Sequence, residues 1–302
     1  MVRVSLLNDV IFKIVFGSEE GRPLLKSLLN AVLEHSGEVP MAEVELLNPN
    51  LDKAHLLEKG VLLDVKARDD QGRLYNIEVQ VASEPAYVER ALYYVARLFG
   101  DQLGRGESYR QLARTIGISL VDFVLFPEFD EVHSRYRLHD AAHGRELTDV
   151  LELHFIELKK FRRDQPEKLR SRFEQWLHLL EFGEQYEREG EPLPDSLARE
   201  EEIDMAVQAM RKAYARSDVR EMMELLNKAD HDWATRLETA EMRGLEKGLE
   251  KGRQEGRQEG MEKGSETATV EIAKRMLHAG LPLETVEQVT GMSREKLESL
   301  KS

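Results

Sequence analysis

Cysteine is absent from the 302 residues, which excludes disulfides, thiolate metal sites and cysteine nucleophiles. Long apolar runs are missing too. None approaches the ~20 residues that a membrane-spanning helix needs. The N-terminal MVRVSLLNDVIFK has no apolar core and no small-residue cleavage site, so no signal peptide is read. Together these absences predict a cytoplasmic protein with no membrane contact. An excess of positive charge is also lacking, since 43 Lys and Arg stand against 57 Asp and Glu, a net charge of −14. A nucleic-acid partner must therefore be met by a local basic groove or through bound metal ions. Histidines are scattered, without metal-ligand spacing near any acidic pair.

What is present is enough apolar residue, 41%, for a packed core, and 33% charge, which points to long exposed helices. The length favours about two domains. Residues 8 to 34 read as helical, with a stop at Gly17 and Ser18 as an N-cap for the second helix. A short strand is expected at 43 to 47 and a hairpin at 60 to 82. EPAYVERALYYVARLFGDQLGRG reads as an amphipathic helix, with Ala91, Val95 and Leu98 on one row and Leu92, Phe99 and Leu103 on another. IGISLVDFVLFP is a continuous apolar run stopped by Pro127, the pattern of a strand buried on both faces. SRYRLHD and TDVLELHFIELKKF complete the strands, the second alternating at Leu151, Leu153 and Phe155. Beyond about 161 only helices are read.

Glycine falls at 244, 248, 252, 256, 260 and 264. Each costs a helix roughly 1 kcal/mol against alanine, and a four-residue period drifts about 40° per step around a 3.6-residue helix. A solvated spacer, or a helix formed on self-association, is expected there. The C-terminal segment places Gly280 and Gly291 at helix ends and Pro282 and Ser293 at helix starts, a helix-turn-helix-like pattern. Four acids against three bases in 281 to 302 keep docking or dimerisation open beside DNA reading. The expected organisation is an α/β domain at 1–160, a helical extension at 161–240, the glycine repeat at 241–264 and a small helical module at 265–302.

The stretch GVLLDVKARDDQGRLYNIEVQ, residues 60 to 80, carries the chemistry. Asp70-Gln71-Gly72 fits a three-residue hairpin loop with glycine in the left-handed position. Counting back, Asp69 faces Arg73, Lys66 faces Asn76, and Asp64 faces Glu78. Opposed residues share a sheet face, so Asp64, Lys66, Asn76, Glu78 and Gln80 lie on one side. Leu63, Val65, Ala67, Tyr75, Ile77, Val79 and Val81 form the core side. Two opposed carboxylates repel unless a cation sits between them, and Mg²⁺ takes oxygen ligands of this kind. The same spacing is also met by an ordinary solvated strand face.

An aspartate, about a dozen residues and then Glu-x-Gln on adjacent strands resembles the PD-(D/E)XK nuclease superfamily. More narrowly, NDVIFKIVFG, LLDVKARDDQGRLYNIEVQ, RALYYVARLFGDQL, GISLVDFVLF and AKRMLHAGLPLETVEQVTG, in this order, resemble the Rpn family of recombination-promoting nucleases or putative transposases. The resemblance implies a restriction-endonuclease-like α/β core, a mixed sheet flanked by helices, followed by an all-helical C-terminal extension. It implies that Asp64 and Glu78 hold Mg²⁺, or Mn²⁺, with the Val79 carbonyl as a further ligand. Gln80 stands where the superfamily usually has lysine. Glutamine can orient the attacking water but brings no charge, and Lys66 on the same face is expected to supply it. Lys13 is expected to reach the site from the first helix as a nucleic-acid contact, or to pair with Asp9 at i,i+4. Arg90 and Arg97, seven residues apart, are expected to line a phosphate groove. The expected function is Mg²⁺-dependent DNA endonuclease, linked to recombination, mobile elements or defence against foreign DNA, in a homo-oligomer joined through the C-terminal helices. An inactive nuclease fold that binds DNA or regulates, and a self-assembly protein, are the rival readings.

Overall fold

The computed structural model describes residues 5–48, 64–188 and 192–300. They fall into two compact units, Met1–Asn227 and Lys228–Ser302.

The first unit is built on a six-stranded mixed sheet. Its strands are β1 (Val44–Leu46), β2 (Val65–Asp69), β3 (Leu74–Gln80), β4 (Thr115–Val121), β5 (His133–His139) and β6 (Glu146–Glu157), in spatial order β1-β2-β3-β4-β6-β5. The central pairs β3/β4 and β4/β6 are parallel, and the other three are antiparallel. Every residue of β4 is buried, as its unbroken apolar run requires of a strand covered on both faces.

One face of the sheet packs on helices α1 (Asp9–Phe16), α2 (Arg22–His35), α4 (Arg172–Phe182) and α6 (Glu201–Ala215), with the short α5 (Asp195–Ala198) between the last two. Val65, Ala67, Tyr75, Ile77, Ile116, Ile118 and Leu120 meet Phe12, Phe16, Leu25, Leu29 and Trp176 there. The helices after β6 thus share one core with the sheet. The opposite face carries a single helix, α3 (Tyr87–Gly100), through Tyr87, Ala91 and Val95. Its approach depends on Gly117, where an added Cβ would stand 2.3 Å from the Val95 side chain. Tyr87, Ala91 and Val95 are the buried residues of α3; of the second expected apolar row, Leu92 is 48% exposed while Phe99 and Leu103 are half-buried.

Two local expectations shift. Asn8 caps α1, its side chain accepting from the Val10 and Ile11 amides, and Gly17 ends it. Ser18, however, caps a turn through Gly21, and α2 starts only at Arg22, where Pro23 presets the first turn. Val81, placed on the core side by alternation, is 47% exposed because β3 ends at Gln80.

The long helix α7 (Ser217–His278) belongs to both units. Val219 and Met223 are buried in the first unit's core. The glycine repeat is helical throughout. Strong helix formers surround each glycine, and Lys251–Glu255 and Lys263–Glu259 add i,i+4 pairs at 3.7 and 3.5 Å. Cβ positions at all six glycines face open space. In the second unit, the end of α7 packs with α8 (Leu283–Thr290) and α9 (Arg294–Ser299) around Ala273, Leu277, Val286 and Leu297. Gly280 and Gly291 take φ of 82° and 68°, the left-handed conformation that suits glycine at a helix end. No helix among the described residues is long and apolar enough to cross a membrane.

Candidate active site

The β2–β3 hairpin has the register its turn dictates. Val65 pairs with Ile77, Lys66 with Asn76 and Ala67 with Tyr75, and Gly72 takes φ +82°. Continuing that register one step sets Asp64 opposite Glu78. The start of the first hairpin segment, including Leu63, lies outside the described residues.

Both carboxylates are buried, Asp64 at 7% exposure and Glu78 at 5%. Burial raises the pKa of Asp64 above the ordinary carboxylate value, against the pull of Lys66 and Lys13. Burial likewise raises Glu78, against Arg90, and the charges of Asp64 and Glu84 push it further. Asp64 is therefore close enough for its charge to oppose the ionisation of Glu78. Among the described residues each acid has one cationic partner on its side chain. Lys66 Nζ lies 3.5 Å from Asp64 Oδ2, and Arg90 Nη2 donates to Glu78 Oε1 at 2.9 Å.

The backbone fixes a third oxygen. The Asp69 amide donates to the Arg73 carbonyl, so odd-numbered residues of β3 direct their carbonyls toward β2. The Val79 carbonyl thus points to the strand edge on which Asp64 lies. These are hard oxygen donors, the set that suits Mg²⁺ or a similar divalent ion rather than a thiolate- or imidazole-preferring metal. Among the described residues no group of three or more His, Cys, Asp or Glu forms a metal cluster. Two carboxylates, a carbonyl and waters are nonetheless an ordinary Mg²⁺ ligand set, so the donors fit such an ion.

Lys13 lies against Asp64 but not on its carboxylate. It is 3% exposed, and its Nζ donates to the carbonyls of Asp64 and Asn48 at 2.8 and 2.7 Å. Burial holds its pKa down to about 8, with Asp64 working the other way. This placement makes Lys13 a brace for the β2 entry rather than an open phosphate contact. Asn48 braces the same entry. Its side chain donates to the Asp64 carbonyl at 3.1 Å and accepts from the Lys66 amide at 2.8 Å. Sequence reasoning missed Asn48, because an asparagine before Pro49 carries only a turn signal.

Gln80 is held on every side. Its Nε2 donates to Ala82 O at 2.8 Å and Glu84 Oε1 at 3.2 Å, and its Oε1 accepts from Arg90 Nη2. Arg90 and Arg97, expected together, are separated. Arg90 turns inward to Glu78, Gln80 and Glu84, while Arg97 is exposed, 3.6 Å from Asp101. Two residues seven apart on a helix do not stay equivalent once one of them is drawn under the helix by a buried carboxylate.

Residues 6–240 match the sequence model of a family described as PD-(D/E)XK nuclease family transposase. Residues 266–302 match that of the Rpn/YhgA-like nuclease family, C-terminal HTH domain. No curated protein and no solved structure matches the chain.

Proposed function

Because the chain belongs to the PD-(D/E)XK nuclease family transposases, we propose that it is a divalent-metal-dependent DNA endonuclease. The observation that carries this reading is the buried pair Asp64 and Glu78, opposed across one hairpin with each pKa raised. A site that concentrates negative charge at a cost in ionisation is one prepared for a cation. Asp64, Glu78 and the Val79 carbonyl would hold it, with Mg²⁺ the first choice and Mn²⁺ acceptable. When bound, such an ion offsets charge on the phosphodiester and acidifies a water molecule. Lys66 limits the repulsion between the acids before DNA arrives. Gln80 still has a free lone pair on its Oε1, which can accept from an attacking water and set its direction. Lys13 and Asn48 keep the backbone at Asp64 from shifting.

The helix-turn-helix match at 266–302 supports DNA as the partner. The transposase description supports a role in rearranging mobile DNA, which this reading extends to foreign DNA. The purified chain should nick plasmid DNA with Mg²⁺ or Mn²⁺, and Asp64→Ala should lower the rate by at least about 10³-fold while circular dichroism stays unchanged. Equal inertness of both proteins, with DNA binding retained, would replace this reading with a DNA-binding or regulatory module on a nuclease fold.

A further inference from the structure

Gln80 leaves the site without the positive charge that a lysine would bring to that position, and the sequence offers Lys66 as its replacement. The geometry points to another residue. Lys66 is 41% exposed and, among the described residues, reaches only Asp64, at 3.5 Å. The ammonium of Lys13 is turned to two backbone carbonyls. Arg90, from the helix that Gly117 lets down onto the sheet, touches both Glu78 and Gln80 with a single nitrogen. Its other terminal nitrogen donates to Glu84 Oε2 at 2.6 Å, and its guanidinium lies 5.1 Å from the centre of the Tyr87 ring.

We propose that Arg90 takes the place of the absent lysine, as a positioning residue that fixes Glu78 and Gln80 and keeps a permanent positive charge beside them. This rests on the nuclease reading of Asp64 and Glu78. Arg90 occupies Glu78 Oε1, whereas Oε2 has no hydrogen-bond partner among the described residues. The carboxylate therefore presents one defined oxygen instead of rotating freely. The same guanidinium pins Gln80 Oε1, so the two side chains cannot move independently. Guanidinium suits this better than ammonium, because one terminal nitrogen can join Glu78 and Gln80 while the other is anchored on Glu84, and the charge is never lost. Partners of this outer kind typically change affinity or activity by about 10–100-fold when removed.

The test uses the full chain and four proteins: wild type, Arg90→Gln, Gln80→Lys and the double variant. Cleavage kinetics, thermal midpoint, Mn²⁺ affinity by calorimetry and DNA affinity in Ca²⁺ are measured on each. Arg90→Gln should lower kcat about 10–100-fold, with the thermal midpoint kept and DNA affinity in Ca²⁺ unchanged within about twofold. Gln80→Lys should restore at least a tenth of the wild-type rate in the Arg90→Gln background, because it returns the charge to the same place. An unchanged kcat in Arg90→Gln overturns the proposal and spares the nuclease reading. So does a loss confined to DNA affinity, which would make Arg90 a groove contact, or a double variant no better than Arg90→Gln. A wild type that neither cleaves nor binds Mn²⁺ overturns both.

Discussion

Two ends of the same sheet bury carboxylates and treat them in opposite ways. At the β5–β6 edge, Glu152 is 1% exposed and receives Arg114 at 2.7 Å, Arg135 at 2.9 Å, Arg137, and His154 at 2.5 Å. Burial alone would raise its pKa. Hydrogen bonds from His154, Arg137 and Arg114 outweigh that and hold it near about 2. Glu38 joins the same arginines, with Arg114 at 3.0 Å and Arg137 at 2.6 Å. At the β2–β3 end, Asp64 and Glu78 are almost as buried, yet each has a single cation on its side chain and a raised pKa. A carboxylate with partners to spare holds the fold together. On the proposed reading, a pair left short of positive charge is the one that takes a metal cation. The contrast then separates the two kinds of acid more sharply than burial does, since burial is nearly the same at both ends.

The largest expected difference is in stability. Removing Glu152 as Glu152→Ala leaves three half-buried arginines crowded around Glu38. It should cost about 3–5 kcal/mol, the scale for stripping one partner from a buried ion pair. Urea denaturation measures this, and a loss below about 1 kcal/mol would break the comparison. A smaller effect concerns acid. His133 lines the same edge, bonded to His154 at 2.8 Å, and burial with neighbouring His154 and His35 lowers its pKa to about 3. A histidine lowered in the folded state contributes stability that is complete above its unfolded value of 6.5. That contribution is lost as pH falls from there toward 3. The slope is at most about 1.4 kcal/mol per pH unit for this group. His133→Gln should flatten the stability profile in that window, and a profile that stays as steep would assign the slope to other groups.

The smallest effect has the opposite sign. Asp64 and Glu78 are raised in the folded state, so their contribution is present at low pH and lost as pH rises through the folded values. Asp64→Asn removes one of the two repelling charges. At neutral pH it should therefore stabilise the protein by about 1 kcal/mol, the usual scale of the trade between stability and function. A thermal midpoint lower than wild type would show that Lys66 already balances Asp64, and the two ends would then differ less than their pKa directions imply.

The hairpin is legible in the sequence because its determinants are local. Gly72 sets the loop, the loop sets the register, and a period of two sets the faces. The β5–β6 network is not. Alternation in TDVLELHFIEL marks Leu151, Leu153 and Phe155 as one row, and the natural inference is that this row is the deeper one. In the structure Glu152 and His154 are buried at 1% and 0%, while Leu151 and Leu153 are only partly buried. Their partners Arg114, Arg135 and Arg137 come from other segments, and nothing in β6 announces them. Asn48 and the carbonyl partners of Lys13 escape notice for the same reason. Each serves Asp64 across a long stretch of chain, 16 and 51 residues respectively.

By itself the sequence determined the strand periods, the hairpin register and the placing of two acids on one face, because neighbours along the chain decide these. Only the tertiary structure decided which acids have one cation and which have several, that Arg90 turns in while Arg97 stays out, and that Gly117 brings α3 close enough for this. Such outcomes depend on charges and volumes meeting across the sheet, and a linear order of residues does not contain those distances.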